Sequence, residues 1–237
     1  MTEEQETRDR LLAEGARLFA ARGFARVTVR DICRAADANV AAINYHFRGK
    51  QGLYDAIVQA AIDRMQATTD AIIAAGRGQT PEAQLTAYVT IFLTVVTAAG
   101  RDNWIHQLMV REITEPTPAL DRVVREVLEP RTKYLGSIVA SLLGCRADDP
   151  RVQRSVMSVQ MQTLAAVDQR LPMHRGPRTP AAVAELADHI ARFSLGGIAA
   201  LNAPSRRRSA TPRETRRERR APLRRQPSRP YLPRHRR

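Results

Sequence analysis

Cysteine, lysine and aromatic residues are all scarce in this chain, and each scarcity removes a class of protein. Cys33 and Cys145 are the only cysteines. Two cysteines so far apart give neither a disulfide framework nor a zinc-ligand spacing, and both read as small apolar residues of the interior. Aromatics make up 5% of the sequence. Ala and Leu dominate and β-branched runs are few, a balance that favours helices over strands. No apolar run reaches the ~20 residues that cross a bilayer. The most apolar one, Leu85 to Ala99, is interrupted by Thr86, Thr90, Thr94 and Thr97. The first ten residues are charged and polar, unlike a signal peptide. These absences lead to the expectation of a cytoplasmic protein with no membrane partner. Also missing are a Gly-rich phosphate loop, a strand-turn-helix serine and spaced metal ligands, His106, His174 and His189 being too scattered in sequence. No catalytic residue, no metal and no cofactor is therefore expected, and the chain does not read as an enzyme.

Lys50 and Lys133 are the only lysines among 38 basic residues. Such a bias reflects a GC-rich coding background, so arginine abundance alone says little about function. Where the charge sits says more. The chain has 38 bases and 24 acids, for a net +14; residues 203 to 237 hold 14 of the bases and two of the acids, Glu214 and Glu218. That leaves 24 bases and 22 acids in the body, so the tail carries +12 and the body only +2. The tail is rich in Arg, Pro and Ser, cannot bury a core, and is expected to be disordered. It fits an arm that adds nonspecific phosphate affinity, and equally a read-through extension of GC-rich DNA with no selected role.

The body is punctuated by four sites where a capping residue directly precedes proline: Thr80-Pro81, Thr117-Pro118, Asp149-Pro150 and Thr179-Pro180. The side-chain oxygen accepts a free first-turn N–H, and proline occupies the first helical position, where no N–H is needed. Helices are predicted from these sites over about 81–99, 118–143, 150–170 and 180–201. Further helices are predicted over 4–22, ending at Gly23, over 50–75, ending before Gly76 and Gly78, and between Trp104 and Glu115. Leu171 to Pro180 reads as a loop. The fold class is all-α: an N-terminal three-helix helix-turn-helix unit, then a helical bundle, about nine helices altogether. The corresponding divisions are 4–64, with the helix-turn-helix at about 27–46, then 80–202, then the tail 203–237.

The richest stretch runs from Thr28 to Tyr54. Thr28 is placed to cap a helix over 29–36, and Asp31 completes a capping box. The Thr28 hydroxyl and first-turn N–H groups could also meet a phosphate. Ile32 and Ala36 face inward against Phe19 and Phe24. A turn follows over Ala35-Ala36-Asp37-Ala38. Asn39 caps a second short helix over 40–45. Val40 and Ile43 read as its inward anchors, which leaves Asn39, Ala41, Ala42 and Asn44 outward. Small side chains permit close approach to base edges, and Asn pairs with adenine or phosphate. The alternative is a capped helical hairpin of purely structural purpose.

The frame Gly23-Phe24, Thr28-Val29-Arg30-Asp31-Ile32, Ala35-Ala36, Ala41-Ala42-Ile43-Asn44-Tyr45-His46-Phe47, Lys50 and Leu53-Tyr54 resembles the N-terminal domain of the TetR/AcrR family of regulators. The segments Arg111 to Leu120 and His189 to Ile198 are similar to the CecR-type C-terminal domain within that family. The resemblance implies double-stranded operator DNA as partner, with Thr28, Arg30, Asn39, Ala41, Ala42, Asn44, Tyr45, His46 and Lys50 on the DNA-facing side. It puts Tyr45 and His46 near the backbone, Phe47 in the core and Lys50 on a phosphate. The family's turn usually has glycine where this chain has Asp37, which takes the left-handed conformation at some cost relative to glycine. It also implies a homodimer built on the last two helices and a small-molecule effector bound in the bundle. Such a protein is a ligand-responsive repressor, its signal carried by the long helix that begins at Lys50; ligand-promoted DNA binding is the other option. Trp104, His106, Met109, Met157 and Met161 are candidates to line the effector cavity or to fill the core. Arg111, beside Glu112, could orient a polar ligand group or form an ion pair.

Overall fold

A computed structural model describes residues 2–98, 104–166 and 179–202, whose regular structure is all helical, with no strand among the described residues. The order is α1 (Glu3–Arg22), α2 (Val29–Ala36), α3 (Val40–Phe47), α4 (Lys50–Gly76), α5 (Pro81–Ala98), α6 (Trp104–Thr114), α7 (Ala119–Val123), α8 (Glu129–Leu143), α9 (Pro150–Ala165) and α10 (Pro180–Asn202). Between α7 and α8 the chain stays helical through a π-type turn, Val124–Leu128. Counting 119–143 as one interrupted helix gives nine. Most of the loop expected over 171–180 and the whole basic tail lie outside the described residues.

The capping residues read from the sequence do what their chemistry requires. Thr80 Oγ1 accepts from the Ala83 N–H at 3.3 Å, Asp149 Oδ1 from the Arg151 N–H at 2.8 Å, and Thr179 Oγ1 from the Ala182 N–H at 3.2 Å. At the fourth site Thr117 Oγ1 accepts from the Ala119 N–H at 3.2 Å, and the helix begins at Ala119 instead of Pro118. The expected uninterrupted helix over 118–143 is also corrected. Pro130 has no N–H to return to the carbonyl of Glu126, so the turn widens just ahead of it. Gln66 Nε2 on α4 supplies the missing donor to that carbonyl at 3.3 Å.

Two apolar clusters organise the compact unit that runs to Pro204. The first joins α1, α2 and α3 to the first half of α4 through Leu11, Phe19, Ile32, Ile43, Phe47, Leu53 and Ile57, and it extends to Leu108 of α6 and to Val123 and Val127. The second is the interior of the bundle, where α5, α8, α9 and α10 enclose Leu85, Val89, Leu93, Leu135, Val139, Val156 and Ile190. Helix α4 belongs to both, since its Ile72 sits in the second cluster. The aromatic side chains of Phe19, Phe24 and Tyr54 lock α1 to α4, with ring centroids of 5.0 Å for Phe19–Tyr54 and 4.9 Å for Phe24–Tyr54.

The joint between α3 and α4 leaves no room for a side chain. Arg48 takes the left-handed conformation at φ 57°, and Gly49 at φ 110° completes a turn that a residue with a Cβ enters only with strain. In the first turn of α4, a Cβ on Gly52 would stand 1.8 Å from the carbonyl oxygen of Phe47. Gly52→Ala should therefore lower stability by about 1–3 kcal/mol, the usual range for overpacking. Gly136→Ala, whose Cβ would meet only Val152 Cγ1 at 4.0 Å, should stabilise by up to about 1 kcal/mol. Urea melts of the two variants beside the parent check both signs.

Candidate nucleic-acid interface and an apolar cavity

The helix-turn-helix is assembled by local bonds at the ends of its two short helices. Thr28 Oγ1 accepts from the Asp31 N–H at 3.2 Å and donates to Asp31 Oδ2 at 2.6 Å, while the Thr28 N–H donates to the same Oδ2 at 2.9 Å. These bonds, led by the Thr28 hydroxyl, hold the Asp31 carboxyl below its ordinary pKa. Both Thr28 donors are thus committed within the capping box, and Arg30 stands exposed beside them. Asp37 is left-handed at φ 48°, and its N–H reaches the Cys33 carbonyl. The α2 terminus gains a bond that sequence reading missed: Arg10 Nε, from α1, donates to the Ala36 carbonyl at 3.1 Å. Asn39 Oδ1 then accepts from the Ala42 N–H at 2.8 Å and starts α3.

Helix α3 is seated by Ile43 and Phe47, both buried. Val40 is not an inward anchor, being 46% exposed. The buried pair is spaced by four residues, so the face containing Val40 turns outward with Asn39, Ala41 and Asn44. Ala42 is half-buried against the first cluster. Tyr45 is exposed, and the nearby Glu4 carboxylate of α1 pushes its phenol pKa up. His46 stacks edge-on to Tyr45 at 5.0 Å between centroids. Lys50 lies over the face of Phe24, with Nζ 4.2 Å from the ring centroid, and burial pulls its pKa down. The N-terminus of α4 that it opens has no side-chain cap, so its first N–H groups remain available to an anion.

Between α4, α5, α6 and the 119–143 helix lies an apolar cavity of about 590 Å³. His106 and Met109 line it, together with Ile113, Phe92, Leu128 and Arg131. The other four candidate lining residues stand elsewhere. Trp104 packs against the first cluster. Met157 and Met161 are exposed on α9. Arg111 makes an ion pair with Glu115 at 3.6 Å and donates through Nη2 to the Ala21 carbonyl at 2.6 Å, tying α6 to the end of α1. Helical periodicity on α9 separates Met157 and Met161 from the buried Val152, Val156 and Val159, a distinction that residue type alone does not carry.

The cavity and the DNA-facing unit share α6. On the side away from the cavity, Leu108 and Glu112 are buried. Glu112, 1% exposed, accepts hydrogen bonds from the Tyr54 hydroxyl, the Thr117 N–H at 3.1 Å and the Thr117 hydroxyl at 2.9 Å. Burial and the adjoining Glu112 carboxylate push the Tyr54 phenol well above its ordinary pKa. Glu115 at the end of the helix pairs with Arg26 in the loop after α1.

Among the described residues a capped helix-turn-helix stands ahead of a cavity-bearing helical bundle, an arrangement that suits a DNA-binding transcriptional regulator. The comparisons with known proteins agree. The family profile for TetR-family bacterial regulatory proteins matches residues 11–57, and that for the C-terminal domain of the HTH-type transcriptional dual regulator CecR matches residues 81–198. The chain belongs to the TetR family of transcriptional regulators. It is 25% identical over 133 residues to the protein described as "Probable HTH-type transcriptional regulator YttP" of Bacillus subtilis (strain 168), a match covering 56% of this chain and 62% of the relative, less than two thirds of its length. It is 27% identical over 156 residues to CecR of Shigella flexneri, covering 62% and 70% of the two chains. The ketosteroid transcriptional regulator KstR2 of Mycobacterium tuberculosis shares the fold, with a TM-score of 0.61 at 19% identity over 83% of this chain and 96% of that one. Family and fold neighbours are transcriptional regulators and not enzymes.

Removing the hydroxyl in Tyr54→Phe, or the charge in Glu112→Gln, should each lower stability by about 1.5–3 kcal/mol, the range for a hydrogen bond to a charged group. The double variant should lose less than the sum, because the two changes break one bond. Denaturant unfolding of the three variants measures this.

Proposed function

We propose that this regulator is a homodimeric repressor released from double-stranded operator DNA by a small molecule bound in the bundle cavity. The observation that carries this reading is the double duty of α6. One face of the helix walls the cavity through His106, Met109 and Ile113. The other holds Tyr54 through Glu112, and its end grips α1 through Arg111. A ligand that displaces α6 therefore acts directly on the elements that seat the helix-turn-helix. A coupling of about 1–3 kcal/mol would weaken operator binding roughly 5- to 150-fold. In this reading residues 4–64 form the DNA-binding domain and 80–202 the ligand-binding and dimerisation domain.

The outward face of α3 supplies the reading set, Asn39, Ala41 and Asn44, joined by Val40, whose exposed methyl groups suit contact with a thymine methyl. Tyr45, His46, Arg30, Lys50 and the open N-terminus of α4 would hold the phosphate backbone. Operator recognition by a helix-turn-helix needs two reading helices about 34–36 Å apart. The surface that supports dimerisation carries Met157 and Met161 on α9 and Phe193 on α10, the last 64% exposed. Exposed apolar side chains clustered on two adjacent helices mark an interaction surface more often than a solvated one.

Asn44→Ala and Tyr45→Ala should each weaken operator binding about tenfold or more while leaving the dimer folded. Phe193→Glu should yield a folded monomer with no operator binding at the same concentration. Operators captured from genomic DNA by the purified protein, followed by gel-shift titrations and sedimentation of each variant, provide the measurement. Unchanged affinity in both α3 variants would remove the proposed contact set.

A further inference from the structure

Arg131 is 7% exposed, lies on α8 and lines the apolar cavity. Its Nε donates to Thr69 Oγ1 at 3.0 Å, and Nη2 to the Met65 carbonyl at 2.7 Å, both on α4. The guanidinium carbon stands 5.4 Å from the centroid of the Phe92 ring. These contacts hold the group rigidly, yet none of them carries a negative charge. Among the described residues every ion pair lies elsewhere, and no carboxylate approaches Arg131. Buried charges are ordinarily paired, and this one is left with an aromatic face, two neutral acceptors, the nearby Tyr88 phenol and a cavity.

The wall around it is mostly apolar, with Phe92, Met109, Ile113, Val123 and Leu128; its other polar members are Thr68, His106 and Arg64, the last exposed to solvent. Its volume of about 590 Å³ falls within the range of small-molecule sites. We infer that the effector is a hydrophobic carboxylate: its apolar body fills the cavity, and its single negative charge meets the unengaged edge of the Arg131 guanidinium. Arg64 is exposed and solvated, so Arg131 is the one buried positive charge of the wall, and one buried charge matches a monoanion. Arginine suits this task because its planar fork can serve Thr69 and Met65 on one edge and still present N–H donors on another. Thr69 and Met65 are then positioning groups for Arg131, and Phe92 fixes its plane.

The inference rests on the effector reading of the cavity, and direct binding separates the two. Titration calorimetry on the full chain would compare dodecanoate, hexadecanoate and biphenylcarboxylate with the matching alcohols, below their aggregation concentrations. At least one acid should bind at least about tenfold more tightly than its alcohol, the difference expected of one charge-assisted hydrogen bond. R131Q should abolish that preference and R131K should retain part of it, with circular dichroism reporting the fold of each. Equal binding of acid and alcohol, no binding by any acid, or an acid preference preserved in R131Q would overturn the assignment. The comparison on the parent chain decides even if R131Q fails to fold. Tight acid binding without operator release would keep the ligand class and reject the release mechanism, and operator release by the neutral compounds alone would reject the ligand class.

Discussion

The buried carboxylate of Glu112 is the constraint on which the rest of the arrangement depends. A carboxylate taken out of water is tolerated only when donors surround it, and here those donors come from different parts of the chain. Tyr54 reaches it from α4, and Thr117 reaches it from the loop that follows α6. Satisfying one charge therefore fixes the position of α6 against α4 and fixes where α7 begins. Because Tyr54 also stacks with Phe19 and Phe24, the same contact settles how α1 lies on α4. The DNA-facing unit and the cavity wall thus meet at a polar point inside an apolar cluster. Such a point has one satisfied geometry, unlike apolar packing, which has many of nearly equal energy.

Much of the fold could be read from local chemistry. Thr80, Asp149 and Thr179 cap the helices they precede because a short side-chain oxygen before proline has few other uses, and Thr28 with Asp31 forms its capping box for the same reason. Asp37 adopts the left-handed turn without glycine. Readings that depended on tertiary context fared less well. Val40 and Ile43 are three residues apart and Ile43 and Phe47 four, and an eight-residue helix supports either pair as its buried edge. Packing against α1 and α4 selects the second. Met157 and Met161 look like cavity residues by type, but their place on α9 is set by which face of that helix the bundle covers. The widened turn at 124–128 was equally hidden, since proline inside a helical pattern signals a kink without saying how the freed carbonyl is satisfied.

The distribution of charge acquires meaning from the same geometry. The body is almost neutral, so the DNA-facing surface cannot rely on a broad positive field. In the proposed reading it would depend on a few groups whose donors are free: Arg30, the uncapped start of α4, and side chains on the outer face of α3. Several groups that might have met DNA are already engaged within the protein. Thr28 is bonded to Asp31, Tyr45 lies under the influence of the Glu4 carboxylate, and Lys50 rests on Phe24. Contact with a phosphate at these positions is an exchange of partners. Exchange lowers the net gain per contact, and with it nonspecific affinity, more than it lowers discrimination between sequences.

The glycine at position 52 has a mechanical consequence. Because the first turn of α4 touches the last carbonyl of α3 with no side chain between them, the two helices have no cushion in which to absorb relative motion. They behave as a boom with a fixed head. A helix of 27 residues is about 40 Å long at 1.5 Å per residue. Pivoting it by about 5° at the bundle end would carry the head sideways by about 3.5 Å over that length. In a two-fold assembly both heads swing at once, so the spacing between them changes by up to twice that amount. A shift of that size is comparable to the rise of two base pairs, enough to take one reading helix out of its groove while the other remains seated.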